Sequence, residues 1–344
     1  MKKKKKKRPI YKNEKSRKRA LRKRSNFPYQ NKINKGTSSY SKKNDLNWEK
    51  DSLYAPTIFS IQQNTDETLE FFTRMDKKLR KKPKIILRMD NVVKLTEDAI
   101  LYLLSRVYYN KEKKFTNILG TFPKNNECKE LLLKSKFTEY VKTDVKSIAN
   151  SEIFPIERGN KVDGKIVEGV LKFIDEKIIL LPENKARIYN PLMEGLTNVK
   201  NHAYKKEKKW NLWWLIAVPD KNNDCIHLTI LDNGLGIPTT IKKRIFERVL
   251  KTDVELLISA LYGQYRSRTG QEERGTGLPS LFEITDLDQV KSLTIISNNA
   301  YIEVENKEFI KKEGIKTKFY GTLIALDIKK QIFIKEIRNE QGKN

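Results

Sequence analysis

The chain has 344 residues, enough for one to three domains that each bury an apolar core. Lysine and arginine number 71 against 43 aspartates and glutamates, and the formal net charge of +28 favours anionic partners: nucleic acid, nucleotides or an acidic membrane surface. The two cysteines, Cys128 and Cys225, form no metal motif and fit a reduced cytoplasm; no apolar run approaches the roughly 20 residues of a membrane span, and the charged N-terminus lacks the apolar segment of a signal peptide.

Residues 1–50 open with MKKKKKKRPIYKNEKSRKRALRKRS and continue rich in Asn and Ser. Such text holds too little apolar surface to order itself, so a disordered polybasic tail is expected. It reads equally as a solubilising or ribosome-adhering tail and as a nucleic-acid tether acting by phosphate neutralisation. Tyr11, Phe27 and Tyr29 are too sparse for a base-stacking platform.

A small α/β unit is expected over 52–144. Lys84–Met89 has the length of a strand. A helix follows over Leu95–Tyr109, opened by Thr96 with Glu97 and Asp98 in its first turn. Thr116–Gly120 reads as a strand and Asn126–Ser135 as a helix. That order implies a mixed or parallel sheet with right-handed crossovers. Residues 145–162, with Pro155 and Gly159, read as a linker.

Ile166–Leu181 is periodic as a helix that Pro182 ends. Tyr189–Tyr204 is a second helix, with Leu192, Met193, Leu196 and Val199 along one side. Strands Trp210–Val218 and Ile226–Leu231 flank the polar turn Asp220–Asp224 as a hairpin. His227 reads as a structural strand residue, and Trp210, Trp213 and Trp214 as core. Ile241–Tyr262 reads as a helix, and Gln264–Arg274 as a basic, mobile lid. Val290–Asn298, Tyr301–Val304 and Thr322–Ile328 supply strands, and 331–344 is a basic tail expected to fray.

Four short motifs carry the chemistry. Glu194 and Asn198 are four apart, so they share one helix face. A carboxylate there can hold a water, and an amide oxygen can bind a divalent cation. Asp232-Asn233-Gly234-Leu235-Gly236-Ile237 ends a strand. Arg274-Gly275-Thr276-Gly277-Leu278 precedes a helix, and Gly321-Thr322 leads into a strand. In this order they resemble the GHKL (Bergerat-fold) ATP-binding superfamily over about Lys161–Lys330, closest to anti-sigma-factor kinases and sensor-kinase ATP domains. The unit at 52–144 resembles a STAS domain through Ile85-Ile86-Leu87 with Asp90-Asn91-Val92 and through Leu131-Leu132-Leu133 with Ser135-Lys136-Phe137. It departs at Lys136, where that family has glycine, and at Thr96-Glu97-Asp98-Ala99, where Glu97 occupies the phosphorylatable serine position. Glu97 is then either a partial phosphoserine mimic or a plain helix-start acid.

The expected fold is therefore α/β (α+β): a disordered basic tail, a STAS-like mixed-sheet domain, and a GHKL α/β sandwich at 163–330. The resemblance implies ATP and Mg²⁺ as cofactors. Asp232 would accept a hydrogen bond from the adenine amino group, and Gly234, Gly236 and Ile237 would let the backbone pass the base and sugar. Gly275, Gly277 and Leu278 would open a helix toward the phosphates, with Arg274, Arg268 and Arg266 as phosphate partners and Thr322 in the last glycine element. Asn198 would be the side-chain Mg²⁺ ligand and Glu194 the catalytic residue that orients or deprotonates the attacking group. His202 would touch phosphates or serve only the helix end.

Histidine autokinase activity is disfavoured, because both histidines lie inside the ATP domain. Type II topoisomerase or MutL function would need a transducer domain and large C-terminal regions, for which the sequence is expected to be too short. The expected function is a cytoplasmic ATP-binding regulatory ATPase or serine/threonine kinase of partner-switching type, with a STAS-type or sigma-regulator-like protein partner. An ATP-gated nucleic-acid binder and a non-hydrolysing scaffold are the alternatives, and a homodimer is open.

Overall fold

The computed structural model describes residues 48–82, 84–114, 117–149, 152–161, 163–202, 212–220, 224–244, 250–265 and 277–330. The expectations for residues 1–47 of the N-terminal tail and for the C-terminal tail (331–344), for Trp210, for the lid beyond Tyr265 with its three arginines, for Gly275, and for the side chains of Asn198 and His202 lie outside that description.

The first half of the described chain is built from a parallel three-stranded sheet. Its strands are β1 (Ser52–Tyr54), β3 (Lys84–Arg88) and β5 (Asn117–Gly120), in the order β1-β3-β5. A short parallel pair, β2 (Ile58–Phe59) and β4 (Lys94–Leu95), lies beside it. Helices α1 (Trp48–Asp51), α2 (Thr65–Lys81), α3 (Glu97–Lys114), α4 (Asn126–Lys134) and α5 (Phe137–Tyr140) connect them. Acids open α2 at Asp66 and Glu67 and bases close it at Lys78, Arg80 and Lys81, each favourable to the helix dipole. Asn125 caps α4 by accepting the Cys128 amide at 3.0 Å.

The second half is one antiparallel five-stranded sheet in the order β6-β7-β8-β10-β9. The strands are β6 (Phe154–Gly159), β7 (Trp213–Asp220), β8 (Cys225–Asp232), β9 (Val290–Glu305) and β10 (Glu308–Lys329). Helices α6 (Gly164–Ile178), α7 (Pro182–His202), α8 (Ile237–Arg244), α9 (Asp253–Leu261) and α10 (Gly277–Glu283) complete it. The hairpin expected at Asp220–Asp224 is present, with Asp220 paired to Cys225.

Side-chain alternation sorts the strands onto two faces. Leu215, Leu228, Ile230, Ile324 and Leu326 share a core with Val167, Ile174, Leu192 and Leu196 of α6 and α7. Trp214, Ile216, Leu231 and Leu323 point the other way, into a core with Phe59, Phe72 and Tyr102 of the first half. There α2 packs on β10, and α3 packs on β7 and β8. Tyr102 stacks on Phe319 at 4.4 Å between centroids, and its hydroxyl accepts the Tyr320 amide at 3.1 Å. Arg106 of α3 is buried, paired with Asp76 of α2 and stacked on Tyr320 at 5.0 Å.

The molecule is thus mixed α/β, and several of its elements differ from the sequence expectations: α1 begins inside the expected tail, α2 was not expected, α7 begins at Pro182 rather than Tyr189, and β10 begins at Glu308 rather than Thr322. The supposed linker at 145–162 supplies edge strand β6, and the halves it was expected to separate share one core. The Ile241–Tyr262 helix is two helices, α8 and α9, the second opened by a Thr252–Glu255 capping box. The strand pieces at 290–304 join into β9, which forms a long hairpin with β10 through Asn306 and Lys307, both at positive φ. No helix among the described residues is long and apolar enough to cross a membrane.

Glu97 begins α3 but is only 6% exposed, covered by the large sheet. Burial, reinforced by Asp98, pushes its carboxyl up to about 7. A phosphoserine mimic must be read by a partner from solvent, and this carboxyl has no such face. Asp98 is also buried and accepts the Ile61 and Gln62 amides at 3.3 and 2.9 Å, so the pair serves the fold.

Candidate functional site

The alternation that builds the core also aims the polar residues at the end of β8. Asp232 and Thr322 are register partners on β8 and β10. They share parity with Ile230 and Ile324, so they face the side that α7 covers. Gly195 of α7 lies over this spot, where a Cβ would be 3.7 Å from Ile324 Cδ1. Glu194 sits beside it, half-buried, with Oε2 shielded from solvent. Asn198 follows one helical turn on.

The turn after β8 is pinned from β9. The Gly234 amide donates to Asp232 Oδ1 at 2.6 Å. Ser297 Oγ accepts from the Ile237 amide at 2.9 Å and donates to the Gly321 carbonyl at 3.1 Å. Asn298 donates to the Leu235 carbonyl at 2.8 Å and accepts the Thr239 amide at 2.9 Å. Gly236 has φ +83°, and a Cβ there would run into the Asn298 amide. The Ser297-Asn298 strap was missed from sequence, although a polar pair inside an apolar strand was the signal for it.

Asp232 is the site's perturbed acid. Burial pushes its carboxyl up to about 6 from an ordinary 3.8, against the downward pull of the Gly234 amide and Thr322. An acid so poised stays ionised at neutral pH and holds a strong acceptor in a partly dry place.

Gly277 starts α10 and is buried. Helix α10 packs closely on α7. Leu278 and Ile237 both pack against Ile241, Leu256 and Ala260 of α8 and α9, which sets the third motif beside the second. The structure therefore pairs Asp232 with Thr322, sets Ile237 and Leu278 against one apolar cluster, and packs α7, which carries Glu194, on β8 and on α10, which Gly277 opens. Arg274 and Gly275 lie outside the described residues. No protein-family model and no curated protein matches the chain.

Proposed function

We propose that the chain binds Mg-ATP at this site and uses it as a regulatory ATPase or serine/threonine kinase of partner-switching type. The observation that carries the reading is the Asp232–Thr322 pair, a perturbed carboxyl at a glycine-bounded strand end beneath the helix of Glu194 and Asn198. A carboxylate there accepts from the adenine 6-amino group, where guanine presents an oxygen and is rejected. Asn198 is the side chain assigned to Mg²⁺, which would compensate phosphate charge. Glu194 is assigned to the attacking water or hydroxyl, and positioning does most of the work in phosphoryl transfer. The charge of +28 supports a second reading, in which the same ATP site gates nucleic-acid binding.

The direct test is thermal denaturation with nucleotide. At a hundred times Kd, Mg-ATP is expected to add about 2.7 kcal/mol and raise the melting temperature by several degrees, while Mg-GTP has little effect. Labelled γ-phosphate then separates release from transfer to a partner. An unchanged melting curve at saturating Mg-ATP overturns the reading.

Acidity supplies an independent check. Adenine donation favours the ionised Asp232, so binding strengthens as pH rises through about 6 and then levels off. Between pH 7 and pH 5 the ionised fraction falls about tenfold, and so does affinity relative to an Asp232→Asn reference. For the ligand-free fold the sign is opposite. A raised folded pKa costs stability as pH climbs from 3.8 through about 6, because the unfolded carboxyl ionises first. Titration calorimetry across this window reads the first effect. Parallel wild-type and reference pH profiles would remove Asp232 from the base contact.

A further inference from the structure

We propose that Asp220, Cys225 and His227, at the β7–β8 turn, form a zinc site. Their ligand atoms all lie within 4.8 Å of one another. The sheet register puts them there. Asp220 and Cys225 are cross-strand partners, and His227 lies two residues on, pointing to the same face. Ligands of a tetrahedral zinc stand about 3.3–3.8 Å apart, given metal bonds of about 2.0–2.3 Å. His227 Nε2 and Asp220 Oδ2 are already 3.4 Å apart.

The surroundings are built as a metal-bound histidine requires. His227 Nδ1 lies 2.6 Å from Asp327 Oδ1, which fixes the ring and leaves Nε2 toward Asp220. Asp327 is fixed in turn, because its Oδ2 accepts from Ser292 Oγ at 3.0 Å. Register pairs run His227 to Asp327 and Asp327 to Ser292, so the support comes from β10 and β9. Glu97 of α3 lies close enough to His227 for their charges to interact. Thiol, imidazole and carboxylate donors together select zinc over magnesium or calcium.

A plain ion pair is the rival explanation. Asp327 and Asp220 around an imidazolium account for the hydrogen bonds, and against the opposing effect of burial they, with Glu97, raise His227 to about 9 in the metal-free chain. They do not account for a buried thiol converging on the same point. Zinc would displace one proton from the ring and one from Cys225, form three bonds, and leave its fourth corner to water. The site is separate from the nucleotide site: it lies on the opposite face, and Cys225 and Asp232 at the two ends of β8 are about 23 Å apart.

The experiment uses the full, tag-free chain, stripped with chelator and titrated with Zn²⁺ against a chromogenic competitor, then with Co²⁺. Only two cysteines and two histidines are present, so background binding is low. One equivalent of zinc and a thiolate-to-cobalt charge-transfer band are expected. Cys225→Ser loses the band and weakens zinc at least a hundredfold, Asp327→Asn weakens it about 10–100-fold with the band kept, and Cys128→Ser changes neither. Should Cys225→Ser fail to fold, the wild-type cobalt spectrum decides alone. Absence of stoichiometric zinc, a cobalt spectrum without the thiolate band, or unchanged uptake by Cys225→Ser overturns the proposal. The Mg-ATP melting shift of the zinc-free chain is a separate readout, so failure here leaves the nucleotide site standing.

Discussion

Asp232→Asn is expected to weaken Mg-ATP binding about 150-fold while the chain still folds, at a modest cost from the hydrogen bonds that Thr322 gives the carboxylate. The side chain keeps its shape, and its remaining oxygen can still accept from the Gly234 amide, as Oδ1 does now at 2.6 Å. What changes is the atom turned toward the base. An amide NH₂ replaces the second oxygen, so a donor meets the adenine amino donor. Losing a hydrogen bond to a charged acceptor costs about 1.5–3 kcal/mol, and the donor–donor contact brings the total to about 3 kcal/mol. Calorimetric titration measures the loss, and unfolding without ligand shows whether the fold is spared. A mutant that binds within threefold of wild type would show that Asp232 does not read the base.

Gly321→Ala is expected to destabilise the protein by about 2–5 kcal/mol and to abolish the nucleotide response. Gly321 has φ +107°, which side chains rarely adopt, and a Cβ there would overlap the Asp232 carbonyl oxygen and lie 2.9 Å from its carbon. Both neighbours are backbone, so no rotamer relieves the overlap. The ends of β8 and β10 must separate where Asp232 pairs with Thr322. The conformational cost is about 1–2 kcal/mol and overpacking adds about 1–3 kcal/mol. Gly314→Ala is the control, since its nearest neighbour would be the Asn299 carbonyl at 3.8 Å, and it should stay within about 1 kcal/mol of wild type. Urea unfolding of the two mutants tests the contrast, and equal midpoints would refute it.

The motifs of the candidate site were visible in the sequence as spacing and turn chemistry. Glu194 and Asn198 declare themselves by helical spacing. Asp232 stands where an apolar strand meets a glycine-rich turn, and Gly236 does adopt the positive φ that only glycine takes easily. The strand–helix alternation of 84–134 was also readable, because each run has the length and flanks of its element.

Other features hid behind residues that serve two purposes. Pro155 and Gly159 look like loop punctuation, yet Gly159 lies in β6 because the Trp213 indole occupies the space of its Cβ. Helix α2 was passed over because its apolar residues are few among many charges; its Leu69, Phe72 and Met75 find a core only through α3 and β10. The shared core was invisible for the same reason: alternation shows that a strand has two faces but not what covers them. The zinc cluster was hidden too, since two of its residues are near in sequence only across a turn and its orienting carboxylate is 100 residues away.

One consequence follows from the large sheet being roofed on its second side by α2 and α3. Severing the polypeptide near residue 150 would leave Trp214, Ile216, Leu231 and Leu323 facing water. The halves are therefore no interchangeable modules to be grafted onto other proteins. They stand like rooms on either side of a party wall, and demolishing one strips the plaster from the other.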